Sequence, residues 1–118
     1  MSEWTWPDSL DALIAAPQFH RVLFENESVR VLDVRIAPGQ LVPVHTHKWP
    51  SVVQVQSTCD FIRRDGDGKI IFDSRAASTP QTAPAVQWLP PLPPHSVENV
   101  GDCDIHLFTV ELKAPNAG

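Results

Sequence analysis

Two stretches of the chain decide its fold and its chemistry: residues 38–47 read PGQLVPVHTH, and residues 88–99 read WLPPLPPHSVEN. The first opens on Pro38-Gly39, which predicts a turn, and continues as an extended segment that ends at His45 and His47. Side chains two residues apart on a strand project from the same face, so the two imidazoles point the same way. Neutral imidazole is the commonest metal ligand, and the pair therefore indicates half of a metal site. Two solvated histidines on a surface strand are the alternative.

From His20 onward the hydrophobic pattern has the two-residue period of β-strands. The clearest case places Leu32, Val34 and Ile36 on one face. The Asp65-Gly66-Asp67-Gly68 sequence predicts a hairpin, because glycines stand where a positive φ is needed. About nine or ten short strands separated by turns are typical of a β-sandwich or barrel. After the segment at His20, we predict strands at residues 29–36, 41–47, 52–56, 61–64, 70–73, 86–89, 96–100 and 105–112.

The first 18 residues have a different pattern. Pro7-Asp8-Ser9 has the chemistry of a helix start, and Leu10, Leu13 and Ile14 are spaced as the apolar face of a helix that Pro17 ends. We predict a short helix of about two turns there. The expected domain plan is a helical segment at 1–18, a single β-barrel domain at 19–113 and a tail at 114–118.

Composition excludes several classes of function. The chain has 118 residues, enough for one domain, and carries 9 Lys and Arg against 14 Asp and Glu, a net charge of −5. The basic residues are scattered, whereas nucleic acid binding needs them clustered. No apolar run approaches the roughly 18 residues of a membrane span, and the N-terminus lacks the pattern of a signal peptide. We expect a cytoplasmic protein without nucleic acid or membrane partners. In that reducing compartment, Cys59 and Cys103 are expected to be unpaired, small core or strand residues.

The two quoted stretches resemble the two sequence motifs of the cupin superfamily. Pro38-Gly39, five further residues and His45-Thr46-His47 are similar to the first half of the first motif. Pro90, His95 and Asn99 stand at the proline, the histidine and the asparagine of the second motif. The resemblance covers roughly residues 29–112, which is most of the chain.

The resemblance implies both a fold and a metal site. The implied fold is all-β, a double-stranded β-helix (the cupin jelly-roll barrel), with the short N-terminal helix in front of it. The resemblance also implies that His45, His47 and His95 converge at the open end of the barrel. There they would hold one divalent metal ion.

The chain departs from the cupin pattern where a carboxylate is expected. Cupins usually carry a glutamate four residues after the second histidine of the first motif, and Ser51 stands there in this chain. Three neutral imidazoles would leave the +2 charge of a metal uncompensated, which favours anionic ligands such as enolates. We expect Ser51 to lie beside the metal without binding it. Alternation from Ser51 points Val53 inward and predicts an apolar cavity floor.

A three-histidine centre also occurs in cupins that this chain resembles, notably the diketone-cleaving and thiol dioxygenases. The resemblance therefore favours an Fe(II)-dependent dioxygenase that acts on a small enolisable organic molecule such as a β-diketone. Zinc accepts three histidines and a water equally well, and nickel or manganese are further possibilities. Two other functions stay open: a non-oxidative metal-dependent isomerase or lyase, and a non-catalytic cupin that binds a small molecule or a metal.

Other candidate residues lie near the two motifs. Trp49 and Trp88 flank the histidine segments and either wall the pocket or pack as ordinary aromatics at a barrel end. Asn99 either supports a ligating histidine or stabilises a loop. His20 and His106 stand outside the motifs and are expected to be structural or exposed. The apolar N-terminal segment predicts a homodimer.

Overall fold

The fold consists of two antiparallel β-sheets preceded by a short helical segment. A computed structural model describes residues 4–76 and 85–113. Within these ranges the helical elements are a 3₁₀ turn at Asp8–Leu10, helix α1 at Ala12–Ala15 and a 3₁₀ turn at Ser74–Ala76. The strands are β1 (His20–Glu25), β2 (Val29–Ile36), β3 (Leu41–His47), β4 (Ser51–Ser57), β5 (Phe61–Asp65), β6 (Ile70–Asp73), β7 (Val86–Leu89), β8 (Leu92–Asn99) and β9 (Ile105–Leu112).

The two sheets pack face to face. One has the strand order β1-β2-β9-β4-β7 and the other has the order β3-β8-β5-β6. Ile36 and Ile105 from the first sheet share a buried cluster with Val42 from the second, and Phe61 and Val97 pack against that cluster. The apolar face of β2 predicted from the sequence is buried. These features confirm the predicted all-β jelly-roll architecture.

The predicted turns are confirmed at two glycines with left-handed backbone. Gly39 has a φ of +82° and Gly68 has a φ of +90°, a region that other residues enter only at a cost. At the hairpin between β5 and β6, the Gly68 N–H donates to the Asp65 carbonyl at 3.1 Å. The Asp65 carboxylate accepts the backbone N–H groups of Asp67 and Lys69, each at 2.9 Å. Glycine and aspartate together therefore fix this turn.

Strand β8 begins at Leu92 rather than at residue 96 as predicted. Pro93 and Pro94 lie inside it, although proline cannot donate to a sheet ladder. The β3–β8 ladder is irregular in this region, with register shifts on both sides of His45. The irregular ladder leaves room for residues without an N–H, so the proline run forms part of the strand that carries His95.

The prediction of one continuous two-turn helix is wrong, because the segment forms two separate short turns. Asp11 has an extended backbone (φ −53°, ψ 142°) and divides the segment into the 3₁₀ turn and the single turn of α1. Its side chain accepts the Leu13 N–H at 3.1 Å and so caps α1. Asp11 also forms a parallel bridge with Thr46 of β3. The N-terminal segment is therefore held against the strand that carries two histidines of the first motif.

Cys59 and Cys103 form a disulfide, and the prediction that the two cysteines are unpaired is wrong. The two residues are 44 positions apart, but the strand ends next to them are neighbours, since Ser57 of β4 pairs with His106 of β9. The loops that follow β4 and precede β9 therefore meet at one end of the barrel. Cys59 is half-buried and Cys103 is exposed.

In the part of the chain that the structure describes, no helix is long and apolar enough to cross a bilayer. The tail predicted at 114–118 lies outside the described residues.

Candidate metal centre

The two histidine motifs meet on adjacent strands of the four-stranded sheet. His45 of β3 pairs directly with His95 of β8, and their ring centroids are 4.4 Å apart. His47 lies two residues further along β3, with its ring centroid 5.0 Å from that of His45 and 5.9 Å from that of His95. The structure therefore brings together the three histidines that the sequence singled out.

A fourth histidine, His20, belongs to the same group, although we expected it to be structural or exposed. Its ring centroid lies 5.0 Å from that of His45 and 5.4 Å from that of His47. The ligand atoms of His20, His45 and His47 all lie within 4.8 Å of one another. His20 starts β1, where it pairs with Val34 on the inward face of β2. The sequence does not contain that register, so only the fold shows the contact.

Three of these rings are oriented by backbone carbonyls. His20 Nδ1 lies 2.9 Å from the Ala16 carbonyl oxygen, His45 Nδ1 lies 2.8 Å from that of Pro43, and His95 Nδ1 lies 2.7 Å from that of Pro93. A carbonyl only accepts hydrogen bonds, so each Nδ1 carries the proton and donates. The Nε2 atom of each ring then keeps its lone pair. This is the tautomer that a metal-binding histidine needs.

The same three histidines are neutral at physiological pH. Burial is the largest cause of their lowered pKa values, about 4 for His20, about 2 for His45 and about 4 for His95. For His45 the neighbouring histidines lower the pKa further. For His95 the Pro93 carbonyl works against burial, while the positive charge of Arg63 adds to the lowering. Neutral, oriented imidazoles are ready to bind a metal without first releasing a proton.

The fourth ring, His47, is oriented by a carboxylate that the sequence analysis missed. His47 Nδ1 lies 2.7 Å from Glu111, whose other carboxylate oxygen accepts Arg30 Nε at 2.5 Å. Glu111 is fully buried. Burial acts to raise the pKa of Glu111, but the hydrogen bonds from His47 and Arg30 hold it below its usual value. Glu111 is therefore ionised, and His47 Nδ1 donates to it.

Glu111 occupies the neighbourhood where cupins usually place a glutamate. In the five-stranded sheet it lies between Arg30 on β2 and Ser51 on β4, paired with both. The adjacent strand β9 thus supplies a carboxylate next to Ser51, and this carboxylate contacts Nδ1 of His47. The alternation of β9 could have shown an acidic residue on the inward face, but the contacts of Glu111 with His47 and Arg30 depend on how the strands pair.

Arg30 extends this network to the N-terminal segment. Its two terminal nitrogens donate to the two carboxylate oxygens of Asp11 at 3.0 and 3.1 Å. The Trp49 ring lies against the guanidinium group, 5.0 Å from Arg30 Cζ to the ring centroid. A continuous chain of hydrogen bonds therefore runs from Asp11 through Arg30 and Glu111 to His47.

Sequence comparisons give no match, either to a family model or to a curated protein. Solved structures do match. A cupin domain from Bordetella pertussis Tohama I has a TM-score of 0.64 at 24% identity, over 80% of this chain and 92% of that chain. An RmlC-like cupin family protein with a double-stranded β-helix fold, from Methanocaldococcus jannaschii, has a TM-score of 0.56 at 12% identity, over 79% and 77%. The polyketide cyclase RemF from Streptomyces resistomycificus has a TM-score of 0.53 at 14% identity, over 97% and 81%.

The chain has the cupin fold. The expected double-stranded β-helix is therefore confirmed. In this chain, Ser51 and Val53 are buried on the inward face of β4, the first beside Glu111 and the second paired with Thr109. Trp49 lies against the Arg30 guanidinium.

Two predicted pocket residues lie elsewhere in the barrel. Trp88 is 58% exposed and pairs with Val52, so it lies on the outer face of the sheet, opposite to Val53. Asn99 is fully buried at the other end of β8. Its side chain donates to the carbonyls of Ile36 and Cys103 and accepts the Gly101 N–H. These are the contacts of a loop-stabilising residue, which was the second interpretation of Asn99. His106 Nε2 donates to the Asp33 carboxylate at 2.9 Å, and His106 is not part of the histidine group.

The donor set of the histidine group suits a divalent transition metal. The group contains His20, His45 and His47, with His95 against it, and imidazole nitrogen is a common ligand of zinc, copper, iron and nickel. Every ring has its Nδ1 engaged, and among the described residues no Nε2 of these four rings makes a hydrogen bond. Each ring is thus held in place through its Nδ1 and keeps its Nε2 for another ligand, as metal-binding histidines do.

Proposed function

We propose that this cupin is a metal-dependent enzyme that acts on a small enolisable molecule, such as a β-diketone, in an oxygen-dependent reaction with Fe(II). The observation that carries the proposal is a group of four oriented histidines beside one carboxylate. That carboxylate, Glu111, contacts Nδ1 of His47 and does not join the group as a ligand. The usual iron oxygenase site has two histidines and a carboxylate. This cupin would hold its metal through neutral ligands alone.

The charge of the site supports an anionic substrate. A divalent ion held by neutral imidazoles keeps its full charge, and when bound it would lower the pKa of an enolisable substrate and supply redox chemistry if it is iron. The chain's own part is to keep His20, His45 and His95 neutral through burial. Glu111 holds the orientation of His47, and Arg30 balances the charge of Glu111.

A non-oxidative reaction is the second candidate, and one comparison favours it. RemF, a polyketide cyclase, matches 97% of this chain, which includes most of the N-terminal segment that orients His20. A polyketide carries carbonyl groups on alternate carbons and is therefore also enolisable, but its cyclisation consumes no oxygen. A metal-dependent isomerase or lyase with Zn, Ni or Mn would use the same four histidines. Binding of a small molecule or metal without turnover is the third candidate.

Oxygen uptake separates these candidates. The purified protein, loaded with Fe(II), is mixed with pentane-2,4-dione in an oxygen electrode, and the same measurement is made on the His45→Ala variant. His106→Ala serves as the matched control, since His106 contacts Asp33 rather than the histidine group. We expect uptake in the wild type and in the control and none in His45→Ala. Disappearance of the diketone without oxygen uptake would contradict the dioxygenase and support a non-oxidative enzyme. Binding of the diketone without turnover would support a non-catalytic binding protein.

A homodimer is a further proposal. The edge strand β1 exposes Val22, Leu23 and Phe24, and the N-terminal segment exposes Trp6 and Ile14. Exposed apolar side chains concentrated on one edge are typical of an interface. Light scattering at micromolar concentration should give twice the mass of the 13.1 kDa chain. A monomer would contradict the proposal.

The cytoplasmic location also stays a proposal, and the Cys59–Cys103 disulfide is the observation against it. Disulfides are rare in the reducing cytosol. Thiol titration of protein trapped with an alkylating agent at lysis should find two free thiols if the protein works in the cytoplasm. An intact disulfide would argue for an oxidising compartment.

A further inference from the structure

Arg63 of β5 is a charged side chain that makes no hydrogen bond and no ion pair within the part of the chain that the structure describes, although its Cζ lies 6.0 Å from the centroid of the Phe61 ring. It is half-buried, its Nε is buried, and that nitrogen makes no hydrogen bond. Burial lowers the pKa of Arg63, and no acid opposes the effect. Its neighbour Arg64, in contrast, donates to Glu98 at 2.9 Å. A buried guanidinium nitrogen without a hydrogen bond is costly, because its N–H has left water.

Arg63 lies on the face of the sheet that carries His95. Phe61, two residues earlier on β5, packs against the buried core, and so does Val97, the cross-strand partner of Arg63. Val97 is in turn two residues from His95 on β8. Residues two apart share a face, so Arg63 and His95 both point into the barrel. The positive charge of Arg63 acts on His95.

The carboxylates that could neutralise Arg63 are engaged elsewhere. Asp65, two residues further on the same strand, accepts the backbone N–H groups of the β5–β6 turn. Glu111 is bound by His47 and Arg30. The inward face of β5 therefore carries a cation that has no ion-pair partner among the described residues, on the same side of the sheet as His95. A divalent metal would add further positive charge there.

We propose that Arg63 binds the carboxylate of a small organic acid whose other oxygens face the four histidines. The inference rests on the proposed function and narrows its substrate class from enolisable molecules in general to enolisable carboxylic acids. A guanidinium group presents a planar fork of N–H donors that matches the two oxygens of a carboxylate. Because Arg63 is already partly removed from water, a carboxylate that reaches it supplies the hydrogen bonds that Arg63 lacks.

The test compares two probes that differ by one carboxylate. 2,4-Dioxopentanoate is a β-diketone with a carboxylate, and pentane-2,4-dione has the same diketone without it. Binding of each is measured by calorimetry to metal-loaded and metal-free protein, for the wild type, Arg63→Gln and Arg64→Gln. Arg64 is the matched control because it carries the same group on the next residue, paired to Glu98. Metal content and melting temperature are recorded for every variant.

We expect the wild type to bind the dioxopentanoate more tightly than the diketone, and Arg63→Gln to weaken that binding by about ten- to a hundredfold. The diketone affinity and the metal content should not change, and Arg64→Gln should behave as the wild type does. The melting temperature of Arg63→Gln should hold or rise, because a partly buried charge without an ion-pair partner has been removed. If Arg63→Gln cannot be purified, Arg63→Lys takes its place, and a partial loss of the preference is expected.

Two results would overturn the inference. One is a preference for the carboxylate probe that survives in Arg63→Gln, and the other is no binding of either probe to protein that holds its metal. Failure of the metal centre itself looks different: a protein that takes up no metal but still binds 2,4-dioxopentanoate through Arg63 would refute the proposed function and support the inference.

Discussion

The two ends of the barrel each bury polar side chains, but the hydrogen bonds of these side chains differ. At one end Asn99 is fully buried and makes three hydrogen bonds, to the Ile36 and Cys103 carbonyls and from the Gly101 N–H. At the other end, the four histidines have Nδ1 engaged, while their Nε2 atoms make no hydrogen bond among the described residues.

The difference distinguishes side chains that stabilise the fold from side chains that are available to bind a ligand. Buried polar groups are normally hydrogen-bonded, so a side chain with all its groups engaged, such as Asn99, is explained by the fold alone. A ring held through Nδ1, with its Nε2 making no hydrogen bond to the described residues, is arranged as the ring of a metal-binding histidine is. We call these two regions the Asn99 end and the histidine end. The predictions below test whether the first affects only stability and the second affects ligand binding.

Acid should destabilise the histidine end of the metal-free protein most strongly. The folded pKa values of His20, His45 and His95 lie below 6.5, the value of an unfolded histidine, so below that pH the unfolded state binds more protons and stability falls. At pH 5.5 the loss relative to pH 7.5 is about 4 kcal/mol for the three together. Urea unfolding of metal-free protein at the two pH values measures it. Equal stability at both values would show that these rings are not buried in the neutral form.

Asn99→Ala should cost about 3 kcal/mol of unfolding free energy, because three hydrogen bonds to buried groups are lost. Metal affinity should stay at the wild-type value. Thermal unfolding and metal titration of the same preparation give both quantities. A variant that loses metal affinity but keeps its stability would show that Asn99 supports the metal centre rather than the fold.

Removing the disulfide should act at the Asn99 end alone. Cys59→Ser with Cys103→Ser opens a covalent loop across a separation of 44 residues, which should cost about 2–4 kcal/mol. The metal stoichiometry should not change. Treatment of the wild type with a reducing agent is the companion experiment, and it should lower the melting temperature by a similar amount. A change in metal content would show that the two ends are coupled.

Glu111→Gln should act at the histidine end alone. Loss of a carboxylate that orients a ligating histidine typically weakens metal binding by about 10–100-fold. Glu98→Gln is the control, since Glu98 binds Arg64 on the other face of β8. Competition against a chelator measures both variants. Equal metal affinity in Glu111→Gln and Glu98→Gln would remove the supporting role of Glu111.

The sequence predicted the strands and the two histidine motifs because these depend on local signals. Alternation marks β2, glycines mark the turns, and spacing marks His45 and His47. His20 and Glu111 could not be placed in the site in the same way. They reach it through the registers of β1 on β2 and of β9 on β4, which depend on how the whole sheet is assembled.

The disulfide and the break at Asp11 were missed for related reasons. Cys59 and Cys103 are brought together by the pairing of β4 with β9, which the spacing of the cysteines does not show. Asp11 lies inside the predicted helix, but its carboxylate binds Arg30 of β2 and its backbone forms a bridge with Thr46 of β3. In both cases a long-range contact overrides the local pattern.

The most direct test of the histidine end is the metal content and metal affinity of the purified, untagged protein, of His45→Ala and of His106→Ala. We predict near-stoichiometric binding of one divalent metal by the wild type and by His106→Ala, and loss of that metal in His45→Ala. Stoichiometric metal in all three proteins, or metal in none of them after reconstitution, would contradict the assignment of the histidine end as a metal centre.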